Sequence, residues 1–479
     1  TVQIPRSFAQ QRQQVGPFQF LFGLNPDLKV ASAQQWNFGI QREIGYQTAV
    51  ELRYVGGRSN NLTNIVDLNQ LDIFDNGFLQ DFFRAQQNLN LARALNAQQA
   101  AAGVPLAQRV RITGSFNPAV PGSQALPVFS QLGTLPGASN ERGALDIAGI
   151  QRRLDQGLPA ELALVYVANP PLQGNVRFLA NENVGQIGYL DNQARYNYHS
   201  AQVEVRRRFS QGLYFQGNYT FSKTLTNASG LSQLRFEPLL DVRRPELEYT
   251  RADYDQTHRF SFNSLYELPF GRGKRFFSDA GGVMDRLIGG FQFNSIVELG
   301  SGAPITIIDN RATLSINSGR QTPNSPLSGS EIRDLVGYFR TPCGVFFINP
   351  AVININQANL SAGRCDELVG GTFTGRAANG FGQPTFPGQV FFNVLPGETG
   401  TLPRAIANGP LFFNVNASLI KNIQIKENFR VQLRAEAFNV FNRTNFFAGI
   451  TEDVNSTTFG RVYDTFSPRV MQFAVRVEF

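Results

Sequence analysis

The sequence predicts an all-β fold, an antiparallel transmembrane β-barrel carrying long extracellular loops. Three observations predict it. Apolar and polar residues alternate with period two in nine separate segments. No run of about 20 apolar residues exists that could cross a bilayer as a helix. The connections between the segments alternate between short and long, the pattern of tight turns on one side of a membrane and elaborated loops on the other.

The segments can be justified in chain order. Trp36, Phe38 and Ile40 share a face in the first, and Thr48, Val50, Leu52 and Tyr54 in the second. The third sets Ala201, Val203, Val205 and Phe209 against Gln202, Glu204, Arg206 and Arg208. Leu213, Phe215, Tyr219 and Phe221 mark the fourth, opposite Gln216, Asn218 and Thr220. The fifth carries Phe260, Phe262, Tyr266 and Leu268; the sixth Phe291, Phe293, Val297 and Leu299; the seventh Phe413, Val415, Ala417 and Leu419. Phe429, Val431, Leu433, Ala435 and Ala437 oppose Arg430, Gln432, Arg434 and Glu436 in the eighth. The ninth, residues 469 to 479, sets Met471, Phe473, Val475, Val477 and Phe479 against Gln472, Arg476 and Glu478, with only small Ala474 among them. It ends the chain on an aromatic residue, as closing strands of bacterial outer-membrane barrels do. A tenth strand near Phe18 to Leu24 is a weaker candidate. At about ten residues each, such strands can cross a bilayer at a tilt, and only barrel strands satisfy their backbone groups there without helices.

The expected organisation follows. Residues 1–57 hold the first barrel strands, and 58–195 form a long loop with a helix near 78–102, where Phe78, Phe82, Ala85, Leu89 and Ala92 recur at helical spacing. A second short helix is expected within 143 to 166, from Leu145, Ile147, Ile150, Leu154, Leu162 and Leu164. Residues 196–302 return to barrel strands around a loop at 224–255, residues 303–410 form an external subdomain, and 411–479 supply the last three strands. Within that subdomain the similar pieces Gly344–Pro350 and Gly388–Val394 predict two short strands. If the short turns are periplasmic, the ninth strand runs inward and Phe479 ends in the periplasm. Phe215, Phe262, Phe293, Phe413, Leu433 and Phe473 are then expected to face lipid.

Composition narrows the function. Aromatic content is 12%, with 42 Phe and 13 Tyr against one Trp, which suits strands and bilayer-facing surfaces. Lys and Arg outnumber Asp and Glu by 43 to 36, but the cations are scattered along polar faces and loops rather than clustered with a stacking platform. Nucleic acid is therefore not an expected partner; outer-membrane lipid and lipopolysaccharide are. With two His, two Cys and no nucleophile-elbow motif, no catalytic, cofactor or metal residue is assigned, and the chain is not read as an enzyme. Gly271-Arg-Gly-Lys274 lacks a P-loop's strand-to-helix context and reads as a turn. His199 and His258 are expected to pack at the external ends of strands.

Cys343 and Cys365 lie in one Gly/Pro/Asn-rich stretch, which predicts a local disulfide, with two unpaired thiols as the alternative. The densest charged run supplies Arg243, Arg244, Glu246, Arg251, Asp253 and Asp255; it reads either as a solvated, internally paired loop or as a rim that touches ligand. Glu204, Arg206, Arg434 and Glu436 are expected to face the lumen.

Ala33-Gln-Gln-Trp-Asn-Phe-Gly-Ile-Gln-Arg-Glu-Ile44, Tyr54-Val-Gly-Gly-Arg58, Asn218-Tyr-Thr-Phe-Ser-Lys223 and Ala435-Glu-Ala-Phe-Asn-Val-Phe-Asn-Arg443 resemble the carboxy-terminal barrel of TonB-dependent outer-membrane receptors. More narrowly they resemble the Oar-like group with a carboxypeptidase-regulatory-type amino-terminal domain, found in acidobacteria. The resemblance covers nearly all of residues 30 to 479, and Phe438 to Arg443 is its most specific piece. It implies a 22-stranded barrel, a plug, and an energy-coupling box that engages a TonB-type protein. Thr1 is not a natural start and only nine or ten strands are legible, so the chain is expected to be the carboxy-terminal part of a longer receptor, or a truncated relative. Uptake of a solute captured by the loops is the expected function. A non-transporting surface-binding or structural protein, assembling with neighbouring membrane proteins, is the alternative.

Overall fold

The computed structural model describes residues 20–133, 145, 148–168, 172, 174–182, 184–228, 239–311, 313–314, 321–368, 375–379, 384–426, 429–446 and 450–479. Nine strands form the antiparallel path through an eleven-stranded sheet: β1 (Ser32–Gly45), β2 (Thr48–Asp67), β3 (Gln186–Ser210), β4 (Leu213–Thr226), β5 (His258–Glu267), β6 (Phe291–Gly300), β7 (Phe412–Lys426), β8 (Phe429–Phe438) and β9 (Val470–Glu478). Their order in the sheet is their order in the chain. All nine expected strands are present. Among the described residues β1 and β9 do not pair, so the sheet is a wall of a barrel rather than a closed cylinder.

Register turns nine separate alternations into two continuous faces. Ile40, Leu52, Val203, Tyr219, Phe260, Leu299 and Phe413 form one cross-strand row. Displaced by one residue, Gln41, Glu51, Glu204, Asn218, Ser261, Glu298 and Asn414 form a row on the opposite face. A slip of one residue would mix these rows, so burial of one face in lipid fixes the pairing strongly. The apolar face is also bare: Phe38 is 67% exposed, Leu52 53%, Phe473 76% and Val475 70%. A sandwich would have covered these side chains with a second sheet. Phe215, Phe262, Phe293, Phe413, Leu433 and Phe473 all lie on this face.

The apolar band has the height of a bilayer. Trp36 to Gly45 covers ~30 Å of strand, or about 23 Å of height at a tilt near 40°, against the ~25 Å band of outer-membrane barrels. Amphipathic rings mark its upper border. Tyr54 Oη lies 2.6 Å from His199 Nδ1, and Tyr219 Oη 2.8 Å from His258 Nδ1. Trp36 lies across Gly56, where any Cβ would stand 2.2 Å from the indole nitrogen. The two histidines thus differ from the expected loop packing: each sits on the outward face, paired with a tyrosine.

Every long connection leaves from one end of the sheet, between β2 and β3, β4 and β5, β6 and β7, and β8 and β9. The opposite end carries tight turns, such as Gln211-Gly212 with both residues at positive φ, and the Gly-rich link after β5. That link contains a helix, Gly282–Ile288, and its Gly271–Lys274 portion is a turn, as expected. Several boundaries move. β2 runs on to Asp67 and β3 begins at Gln186, so the first long loop is shorter than 58–195, and β4 runs into the loop placed at 224–255. Polar residues on both faces of Arg58–Asn64 hide the period once the strand leaves the bilayer. Phe20–Leu24 is a strand, but it pairs in parallel with Gln186–Leu190 and is not a tenth barrel strand; Phe18 lies outside the described residues.

The loops fold into a cap with two apolar cores. In the first, α1 (Phe78–Ala101) buries Phe78, Phe82, Ala85, Leu89 and Ala92, the stripe read from spacing. Among the described residues two helices stand where one was expected, α2 (Ala148–Gln156) and α3 (Pro159–Ala168), divided at Gly157, whose φ is +68°. Ile147 lies outside the described residues. Phe78 packs its ring 4.9 Å from both Phe129 and Phe178. The second core gathers Phe346, Phe391, Val454 and Phe459 from the last two long loops. Gly344–Ile348 is a strand, whereas 388–394 contributes only a single bridge from Phe392 to Asn324, correcting the expected second strand. Cys343 and Cys365 are bonded, with Cα atoms 5.3 Å apart.

Candidate functional site: the cavity beneath the cap

Three places concentrate charged side chains, and they differ in what is left over for a ligand. The first is the polar sheet face. Arg53 reaches Glu51 at 3.3 Å and Glu204 at 3.5 Å, and Gln216 donates to Glu204 at 3.2 Å. Arg206 lies exposed on the same face, between Ala49 and Gln216. Arg434 sits 3.7 Å from Glu436, which also accepts from Gln472. All four residues expected to face the lumen occupy this face. Glu204 is held by Arg53 and Gln216, and Arg434 and Glu436 by each other and by Gln432 and Gln472, as a polar barrel wall requires.

The second place is the charged run above β4. Asp241 accepts from Arg243 at 2.9 Å and from Arg244 at 3.1 Å. Burial would raise the Asp241 carboxyl, but the Arg243 and Arg244 hydrogen bonds outweigh it and hold the group below the usual range. Arg251 binds Asp255 at 2.8 Å, Thr257 at 2.9 Å and Asn408 at 2.8 Å, while buried Asp255 also accepts from the Thr224 N–H. Arg404 pairs with Glu248 at 2.5 Å. Most of the run is therefore bracing between loops. Arg243 and Arg244 keep side-chain exposures of 43% and 42%, and with Glu398 and Thr399 they line a pit of about 520 Å³. Glu246 is exposed on the short turn Pro245–Glu248, and Asp253 is half-buried.

The third place is a cavity of about 550 Å³ between the upper end of the polar face and the loop that follows β8. Ile305, Phe412, Phe446, Ile450 and Phe466 give it an apolar wall, and Arg259, Ser261, Glu298 and Glu452 bring polar groups to it. The Phe412 and Phe466 rings meet edge to face at 5.1 Å. Gly302 and Gly409 allow two chain segments to cross beside it; a Cβ on Gly302 would stand 2.3 Å from the Gly409 carbonyl carbon. Burial pushes the Glu452 carboxyl up to about 7, against the Thr306 N–H that hydrogen-bonds it, and the nearby Asp253 charge adds to the rise. Asp453, next to it, is also raised, chiefly by burial. An apolar hollow of this size with a few convergent polar groups is the usual form of a small-molecule site.

None of these four polar residues stands out in the sequence as a site. Arg259, Ser261 and Glu298 do fall on the polar side of legible strands, so their facing could be read. Glu452 lies in a loop without periodicity, and only folding brings it to the others.

The model of the outer membrane beta barrel domain family matches residues 2–472. No curated protein matches the chain. Among solved structures, similarity extends to the outer membrane transporter YddB from Escherichia coli, with TM-score 0.36 and 8% identity over 97% of this chain and 35% of that one. The ferripyoverdine receptor of Pseudomonas aeruginosa gives TM-score 0.31 and 8% identity over 94% and 27%. The chain thus spans about a third or less of the length of these structures. A bare apolar face of bilayer height, long loops at one end, and a family model that matches almost from end to end make this chain a member of the outer membrane β-barrel domain family.

Proposed function

We propose that the chain is the carboxy-terminal barrel portion of a TonB-dependent receptor of the Oar-like group, which captures a solute with its loops for energy-coupled uptake. The cavity beneath the cap carries this reading, because it joins the loop surface to the polar face, where a captured solute would next travel. In this reading the cap is extracellular and Phe479 periplasmic. Lipid and lipopolysaccharide surround the apolar band, and a TonB-type protein engages a region upstream of the barrel. Arg243, Arg244 and Glu246 contribute the exposed part of the capturing rim, with Arg251, Asp253 and Asp255 behind them. The chain carries no catalytic role.

The competing role is a surface platform without transport, and one observation favours it. Arg311 donates to the carbonyls of Gln156 and Val394 at 3.0 and 2.9 Å, and Asp309 accepts from Asn455 at 3.0 Å, so three loops are locked together. The test is depletion of solutes from the medium by cells expressing the complete gene, with the energy-coupling protein present or deleted. Depletion that requires coupling supports uptake; identical media in both strains would leave the platform.

A further inference from the structure

The cavity's charges carry more information than its size. Arg259 lies opposite Gly300 and Thr220, and Glu298 opposite Ser261 and Asn414, so neither has a counter-ion beside it in register. No ion pair joins Arg259, Glu298 or Glu452 to any residue among those described. Glu452 is half-buried in the hollow, and Arg259 and Glu298 stand exposed along its polar side, so all three can turn to a ligand that enters. Two carboxylates against one guanidinium leave the hollow short of positive charge.

We infer that the cavity takes a solute with an apolar, ring-sized body and a protonated amine, the amine seated between Glu452 and Glu298 and the body against Phe412, Phe446 and Phe466. This rests on the solute-capturing reading above and names its substrate class. The volume fits: about 550 Å³ is within the ~300–1,000 Å³ of small-molecule pockets. Edge-to-face aromatic walls suit a flat apolar group. Asp253, Asp453 and Glu298 are the acidic groups around Glu452, and Arg259 is the cation on the sheet side. Below neutrality Glu452 is protonated, and one carboxylate is offset by Arg259. Above it a second negative charge appears, which attracts an ammonium and repels a carboxylate.

The sign of the pH dependence follows. An amine needs Glu452 ionised, so its affinity rises with pH through about 7; between pH 6 and 8 the ionised fraction, and hence the affinity, grows about tenfold. A carboxylate-bearing ligand shows the opposite trend.

The test uses the full-length receptor in detergent micelles, titrated with 2-phenylethylamine and 3-phenylpropionate at pH 6 and 8. The amine is expected to bind about tenfold more tightly at pH 8 and more tightly than the acid. Glu452→Gln should abolish that slope, and Glu298→Gln should weaken the amine several-fold at both pH values. Unchanged heat-modifiable gel migration checks that the variants keep the barrel. Tighter binding of 3-phenylpropionate, no binding of either probe, or an amine slope that survives Glu452→Gln would overturn the inference. Coupled depletion of a solute lacking an amine, with no amine binding, sinks the inference and spares uptake. Amine binding without any coupled depletion does the reverse.

Discussion

The sheet and the cap are built from the same amino acids by opposite rules. In the sheet, Phe473 and Leu52 are bare; in the cap, Phe78, Phe346 and Phe459 are fully buried. The difference shows where each region finds its apolar environment. The cap makes its own core, as a protein in water must, and ties loops together with buried ion pairs. The sheet relies on lipid for that environment and on backbone pairing for order. Changes of one kind should therefore have unlike effects in the two regions.

The largest effect is expected in the cap. Asp309 is fully buried against Arg311, so Asp309→Ala leaves a guanidinium without its partner at a cost of about 3–5 kcal/mol. Hydrogen exchange should show α1 and residues 309–311 opening while the β3–β4 amides stay protected. Equal loss of protection in both would erase the distinction drawn here. A charge on the apolar face comes next. Leu52→Arg, near mid-band, is expected to destabilise the barrel in lipid vesicles by about 2–4 kcal/mol, while Asn218→Arg on the polar face should change little. Equal costs in denaturant titrations would mean that both faces meet the same medium.

Smaller effects sharpen the picture of the cap. Cys343→Ser with Cys365→Ser should cost about 2–3 kcal/mol, felt as faster proteolysis of the second core and not as a change in barrel migration on gels. Among the described residues Tyr166 buries its hydroxyl with no hydrogen-bond partner, and burial holds the phenol well above its usual range. Tyr166→Phe should therefore raise cap stability by up to about 1 kcal/mol, a reversal of the usual loss on deleting a polar group. A clear drop in the thermal midpoint of the cap would show that the hydroxyl is paired after all.

The same contrast explains what could be read from the chain. Strands inside lipid have one greasy and one wet neighbour, so Val431 to Ala437 and Met471 to Phe479 announce themselves by period alone. Where β2 and β3 rise out of the bilayer both sides are polar, and Arg58-Ser-Asn-Asn-Leu-Thr-Asn64 carries no period to follow. The helix at Phe78 was legible because its core stripe is local. The break at Gly157-Leu158-Pro159 also had a signal, a glycine and a proline in sequence, which the apolar spacing across it masked. The parallel pairing of Phe20–Leu24 and the meeting of Arg259, Glu298, Phe412 and Glu452 are long-range events, and nothing local encodes them. The charged run at 241–255 shows the converse: its density is plain in the sequence, but only the fold brings neighbouring arginines onto Asp241 and Asp255.

The most direct measurement places spin labels at Leu52, Val203 and Phe473, and at Glu204, Asn218 and Gln472, in the protein reconstituted into lipid vesicles. Collision with oxygen, which concentrates in lipid, should dominate at the first three, and collision with a water-soluble nickel chelate at the other three. Labels at Leu52 and Phe473 that meet the chelate as readily as those at Glu204 and Asn218 would contradict the account.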